Sequence, residues 1–484
     1  MAPTTSHSTL PSTLLAHARS SPSRTFIECW SAADGVLLRC SYAQLADCML
    51  AAAIWLRDGP AHVQSADHVA FLAHNSISYL SISLGAMTLG ACSINLNWRN
   101  PADVTHRLLD DLKPKLLVAS ASFRALASAA HTALSVRIAM IEAICNMDAS
   151  ELPFAPLAEA DAAALREQIA TVSPSSPAAV FFTGGTTGTP KAVPHTHAGL
   201  LWFAECARAT WPAPYEKPTA GTVCFTPFFH VMGFVANLAF NLHVGCRVAL
   251  LGSADDKLSP SLVLAACNEL RPTVLNTVPW IVEGLVEMLR QGEPADAASV
   301  LSAIDLVTYG GAALAPHCPA VLRAHGVTVA CTYGQTELAG PVMMGKPNGD
   351  PNALRPIDGV GAREALQKRL HSDHCPHRRL RWVGVLTRRR VRLPSTQVTL
   401  SSPTTTTGPT RASSCSYAAS QRPRATYRSL PRRAPTAASP AARHAPPPRT
   451  SSPTIASARY ASTARSGCST CAAPTTCSYT HRAK

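Results

Sequence analysis

Residues 25–360 predict an α/β fold of stacked, mainly parallel sheets covered by helices, followed by a disordered tail. Three observations carry this. Short apolar, β-branched runs bounded by Gly or Pro alternate with helical patterns, as strands buried on both faces do. Charge is unevenly divided: residues 1–360 hold 21 basic and 27 acidic side chains, whereas 361–484 hold 22 basic and 2 acidic. From 394 onward, 72 of 91 residues are Ser, Thr, Pro, Ala or Arg, too little apolar surface to offset the entropy of ordering.

The elements follow in order. Residues 1–24 form an N-terminal segment with a short helix expected near Leu10–Arg19. Tyr42–Leu56 is expected to be helical, with Leu45, Met49 and Trp55 near helical spacing. The uncharged window Asn75–Trp98 contains Ser, Asn and Gly, and suits a core helix and turn better than a membrane span. Asn100-Pro101 reads as an N-cap and first-turn proline before Val104, Leu108 and Leu112, and Pro114 stops that helix before the strand at 115–120. Further strands are expected at 178–183, 246–252, 272–278 and 304–311, with amphipathic helices at Leu262–Arg271 and Trp280–Gln291.

Taken whole, a formal charge of +14 points to nucleic acid or an anionic membrane. Divided along the chain, the excess lies beyond residue 360, in a stretch without interleaved aromatics or a recognisable module, so no nucleic-acid partner is expected. Eleven of sixteen cysteines are scattered through the first 360 residues, several in apolar runs, which reads as buried free thiols in a reducing compartment. No secretory signal or transmembrane segment is visible, so a cytoplasmic location is expected; the acid-free, Ser/Arg-containing start leaves organellar import as the alternative. The abrupt change of composition after 360 suggests a shifted reading frame or retained non-coding sequence.

The strongest chemical signal is FFTGGTTGTPKAV, 181–193. An apolar strand ends at Thr183 and enters Gly184, Gly185, Thr186, Thr187, Gly188 and Thr189, then Pro190 and Lys191. Glycines let backbone N–H groups turn toward phosphate, threonines add hydroxyls, and the lysine adds a compact positive charge. The spacing is not that of a Walker loop. TYGQTE, 332–337, offers an aromatic face at Tyr333, a hydroxyl at Thr336 and a carboxylate at Glu337; alone it is a weak signal that reads better as a strand-end turn. TPFFHVMGF, 226–234, places His230 among apolar neighbours, where a histidine is usually a core residue. TYGGAAL, 308–314, puts Gly310, Gly311 and Ala312 at a strand end, where a flat ligand could lie on backbone. His195 and His197 read as strand-to-helix packing. Clusters at His371, His374, Cys375 and His377, and at Cys468, Cys471 and Cys477, are weak metal-site readings.

In this order the four motifs resemble the adenylate-forming superfamily of acyl-CoA synthetases, peptide-synthetase adenylation domains and luciferase-like ligases. The glycine/threonine loop follows the family pattern across 182–192, with Gly184 in place of the usual Ser and Ala192 in place of the usual Gly. The Tyr-Gly-x-Thr-Glu motif matches at 333–337, including Gly334. The resemblance implies an incomplete N-terminal domain of the adenylate-forming fold over 25–360. It also implies ATP and Mg²⁺, a small-molecule carboxylic acid, and a thiol acceptor, commonly coenzyme A.

By that resemblance Lys191, Thr336, Glu337 and His230 are the candidate catalytic residues. Thr183 and the loop 184–189 belong to the nucleotide site. Thr186, Thr187 and Lys191 would grip the β- and γ-phosphates, and Tyr333 would stack on adenine beside Gly310, Gly311 and Ala312. Thr336 would bond the α-phosphate, Glu337 would carry Mg²⁺, and His230 would line an apolar or aromatic acyl pocket. The family's later Thr-Gly-Asp motif, ribose-binding acid and lid lysine have no counterpart: 375–484 contains no Asp or Glu, and its sole lysine is Lys484.

Overall fold

The computed structural model describes residues 8–145, 151–155, 157–183, 190–210, 213–217, 219–251, 258–350 and 354–357. The loop 184–189 and the segment 361–484, with its two cysteine/histidine clusters, lie outside the described residues.

Helix α1, Leu10–Ser20, starts with a reciprocal cap: Thr9 Oγ1 accepts from the Ser12 amide, and the Thr9 amide donates to Ser12 Oγ at 2.8 Å. Its Leu10, Leu14 and Leu15 are buried. Helix α2, Tyr42–Asp58, is capped the same way by Ser41 and Gln44. Helix α3, Ile77–Thr88, is buried on every side and crosses α2 so closely that a Cβ on Gly85 would lie 2.9 Å from the Ala53 nitrogen. The uncharged window is therefore a core helix, and among the described residues no helix is long and apolar enough to cross a membrane. Helix α4 spans Ala102–Leu112. Here the expectation is corrected: Pro101, not Asn100, occupies the N-cap, and no side chain caps the helix. Proline's fixed φ starts the turn, and burial of Val104, Leu108 and Leu112 supplies the rest.

Two sheets organise the chain. The smaller has β3 (His68–Leu72), β4 (Cys92–Asn95), β5 (Leu116–Ala119), β6 (Ile138–Met140), β7 (Pro177–Thr183) and β8 (Lys191–Thr196), in spatial order β6-β5-β3-β4-β7-β8. All its pairings are parallel except β7 with β8.

The larger sheet begins with β1 (Thr25–Ser31) and β2 (Gly35–Ser41) and continues with β9 (Gly221–Cys224), β10 (Arg247–Leu251), β11 (Val274–Thr277) and β12 (Leu306–Gly310). It ends with β13 (Val329–Gln335), β14 (Gly340–Gly345) and β15 (Leu354–Pro356). The order is β15-β14-β13-β12-β11-β9-β10-β1-β2, parallel from β13 to β1 and antiparallel at both edges.

The largest apolar cluster joins side chains of both sheets, such as Phe71 and Phe181 of the smaller and Ile27 and Val248 of the larger, through α1–α3 and the helix His197–Thr210. Separate clusters cover the outer faces: Val263, Leu285 and neighbours on the larger sheet, Leu108, Leu109 and neighbours on the smaller. Two mainly parallel sheets packed about shared helices are the expected architecture. α1 belongs to the same core, pinned by the Leu10 amide donating to Nδ1 of fully buried His197 at 3.3 Å.

Candidate active site

The strands that flank the glycine/threonine segment are β7 and β8. Thr183 and Lys191 are register partners, so the two strands stay paired up to these residues. Phe181 is fully buried and anchors β7, while Lys191 is exposed at the base of the loop. Farther along β8, His195 is buried against the Phe181 ring, centroids 5.8 Å apart. Its Nε2–H donates to the Thr336 carbonyl at 2.8 Å. The strand that presents Lys191 thus also holds the Thr336–Glu337 turn.

The second part lies at the ends of β12 and β13. Gly310 pairs with Thr332 so closely that a Cβ on Gly310 would sit 2.5 Å from Thr332 Oγ1. Gly310 is buried, so packing alone demands glycine there. Gly311 has φ +90°, where glycine is favoured, and is exposed together with Ala312. Tyr333 is 47% exposed, an unusual state for a large ring, and its hydroxyl accepts from Gln335 Nε2 at 2.9 Å. Gly334 meets the Gly340 carbonyl, where a Cβ would come within 2.8 Å, beside a register shift in the β13–β14 ladder. The chain then turns through Thr336–Leu338, leaving Thr336 half-buried and Glu337 exposed. One carboxylate completed by substrate phosphates is a normal Mg²⁺ environment, so Glu337 fits the ion. Among the described residues, no group of three metal-ligating side chains exists.

His230 lies in the turn after β9. Asn75, from the loop after β3 of the other sheet, clamps this turn: its Nδ2 donates to the Thr226 carbonyl at 2.9 Å and its Oδ1 accepts from the Phe228 amide at 2.8 Å. Gly233 is obligatory, since a Cβ would lie 2.2 Å from the Pro227 carbonyl oxygen. The Met232 amide donates to His230 Nδ1 at 3.1 Å, which leaves the proton of the neutral ring on Nε2. The imidazole edge is open to solvent, yet dense protein around it lowers its pKa by desolvation, favouring that neutral donor form.

Behind this turn the chain forms a π-helix, Met232–Ala239, a geometry often found at functional sites. With β11, β12 and β13 it walls a cavity of about 40 Å³, whose lining includes the polar Asn276, Thr277, Thr308 and Thr332 and the apolar Phe203 and Met232. A buried amide relay underlies it. Asn237 Nδ2 donates to the Met232 carbonyl at 2.9 Å and to Thr226 Oγ1 at 3.0 Å. Asn237 Oδ1 accepts from Asn276 Nδ2 at 3.0 Å, and Asn276 Oδ1 accepts from Thr308 Oγ1 at 2.7 Å.

The structure joins Thr183 with Lys191 directly, Lys191's strand with Thr336 through His195, and Gly310 with the strand of Tyr333. Sequence reasoning missed Asn75, His195, Asn237 and Asn276 as positioning residues. Single asparagines inside the apolar runs 232–240 and 272–278 were the available signal.

The chain is 28% identical over 289 residues to 4-coumarate–CoA ligase 1 of Petroselinum crispum, covering 58% of this chain and 49% of that protein. It is 28% identical over 288 residues to medium-chain fatty-acid–CoA ligase of Escherichia coli, covering 57% and 47%. The chain spans about half the length of these curated relatives. Among solved structures, the anthranilate CoA ligase AuaEII in complex with anthranoyl-AMP superposes with TM-score 0.58 at 19% identity, over 73% of this chain and 64% of that one. VinN superposes with TM-score 0.57 at 20% identity, over 73% and 82%. The family model described as AMP-binding enzyme matches residues 14–363, and the chain belongs to that adenylate-forming family.

Proposed function

We propose that this chain activates a carboxylic acid with ATP and delivers the acyl group to a thiol, coenzyme A being the acceptor that the relatives' names support. The observation that carries the reading is the convergence of the Lys191 hairpin and the Thr336–Glu337 turn through the His195 hydrogen bond. In the first step a carboxylate oxygen bonds to the α-phosphorus, the bond to the bridging oxygen breaks, and pyrophosphate leaves. Lys191 supplies positive charge at the base of the phosphate loop, and Thr336 offers a hydroxyl to the α-phosphate. Tyr333 presents an open ring face to adenine. His230, held as the Nε2–H tautomer, can donate to the acid's carboxylate without itself giving up a charge. Mg²⁺ on Glu337, when bound, neutralises phosphate charge. In the second step the thiolate sulfur bonds to the acyl carbon and AMP leaves.

A second reading is a nucleotide-binding protein that does not turn over. The composition of 375–484, without an acid and with one terminal lysine, favours it, because neither a ribose-binding carboxylate nor a lid lysine is available there. Pyrophosphate release from ATP with a panel of carboxylic acids separates the two. Acid-dependent release well above background supports ligase chemistry, and ATP binding without release supports the second reading. Translating the nucleotide sequence downstream of codon 360 in all three frames tests the shifted-frame origin. Recovery of a Thr-Gly-Asp motif and a late lysine in another frame is the expected result.

A further inference from the structure

The strand-end segment Gly310–Ala312 is held in place from outside its own strand. Gly310 is buried in β12, and the chain then leaves the sheet: Gly311, Ala312 and Ala313 are exposed before the helix Cys318–Ala324 begins. A loop this open, with φ +90° at Gly311, gets no fixed course from its own side chains. Its far end is fastened at Ala315. The Ala315 carbonyl accepts from the Cys318 amide at 3.0 Å, and the Ala315 amide donates to Glu283 Oε1 at 3.1 Å. Glu283 belongs to the helix Pro279–Gln291, which follows β11, the strand beside β12. That helix packs on the larger sheet through Ile281, Val282, Leu285, Val286 and Leu289. Glu283 stands outside this apolar stripe, half-buried at its border, so the helix needs no carboxylate there for its own packing. The bond it makes is charge-assisted and joins residues 32 positions apart.

We propose that Glu283 is a positioning residue of the nucleotide site: by holding the Ala315 amide it fixes the course of Gly311 and Ala312, the backbone floor for an adenine ring beside Tyr333. The proposal rests on the acid-activating reading above and adds a residue that acts through the loop without touching the nucleotide. Two anchors bracket the floor. Gly310 is set by its close approach to Thr332, where a Cβ would lie 2.5 Å from Oγ1, and Ala315 is set by Glu283. Thr332 directly precedes Tyr333 on β13, so the ring and the floor keep their separation only while both anchors hold. A floor already fixed before ATP arrives loses less freedom on binding, which raises affinity without a new contact.

The test is equilibrium titration of the full chain and two variants with ATP, alongside amide hydrogen exchange of the ligand-free proteins. Glu283→Ala is expected to weaken ATP binding roughly tenfold and to speed exchange across 311–317 while leaving 191–196 unchanged. Glu283→Gln keeps an oxygen acceptor for the Ala315 amide without the charge, and should bind ATP within about threefold of the parent. That rescue separates the hydrogen bond from the mere loss of a negative charge. Unchanged ATP affinity in Glu283→Ala, a glutamine variant as weak as the alanine one, or faster exchange that spreads to 191–196 overturns the positioning role. Absence of ATP binding by the parent is a different result: it rejects the nucleotide reading itself, and the role of Glu283 with it.

Discussion

Lys191 and His195 stand four residues apart on one strand and act at different ranges. Lys191 is exposed beside the loop, and its effect is direct charge. Lys191→Ala is expected to weaken ATP binding by roughly 10-fold or more, the loss of one charge-assisted contact, read by equilibrium titration; unchanged affinity removes Lys191 from the phosphate site. His195 acts through the Thr336 carbonyl. His195→Ala leaves that acceptor unpaired and should cost about 1–3 kcal/mol, with faster amide exchange across 336–340, while a glutamine that restores the donor should recover part of the loss. Lys191, Thr336 and Glu337 were legible in the sequence as candidates, because the motifs that carry them are runs of a few residues. His195 was not, because its partner is 141 positions away.

Five strands were legible as apolar runs between glycines and prolines, near 115–120, 178–183, 246–252, 272–278 and 304–311, whereas the one cap expected, Asn100, is not the N-cap of its helix. What pairing adds is the reason for individual small residues. Gly310 looked like a surface for a ligand, yet its own environment requires glycine, since Thr332 occupies the space of any Cβ. Gly310→Ala should destabilise the protein by about 1–3 kcal/mol through overpacking, measured by denaturant unfolding without ligand. Glu28, 5% exposed on β1, shows the same dependence on pairing. Its carboxylate bonds Arg39 of β2 and Arg247 of β10, joining three adjacent strands of the larger sheet. Glu28→Ala is expected to cost about 3–5 kcal/mol, because it strands the half-buried Arg247 guanidinium without its counter-charge. A loss below 1 kcal/mol would mean that water replaces the carboxylate.

The molecule's pH response follows from imidazoles that the surrounding protein desolvates. His197 is fully buried, and desolvation depresses its pKa from 6.5 to about 3; desolvation also lowers the pKa of His17, His230 and His243. A depressed folded-state value means the unfolded chain binds protons first. The contribution of His197 is therefore complete above pH 6.5 and lost as pH falls toward 3, at about 1.4 kcal/mol per pH unit. Urea titrations between pH 7 and 5 should show this decline, and His197→Asn or His197→Gln should flatten it. The thiols respond in the opposite sense: burial pushes Cys29, Cys92, Cys224 and Cys267 up to about 12, so these should resist alkylation at pH 8 until the protein is unfolded. Site-resolved mass spectrometry of the native protein checks it.

The parallel α/β class, the phosphate-loop and Thr-Glu motifs, and the charge boundary near residue 360 were readable along the chain. Each rests on short-range information: alternation of apolar runs, a handful of consecutive residues, or a local shift in composition. The meeting of Lys191's strand with Thr336, the Asn75 clamp on the His230 turn, and the relay from Met232 through Asn237 and Asn276 to Thr308 belong to tertiary structure alone. A hydrogen bond depends on where two strands lie in space. Nothing in the spacing of residues 75 and 226, or 195 and 336, specifies that they meet.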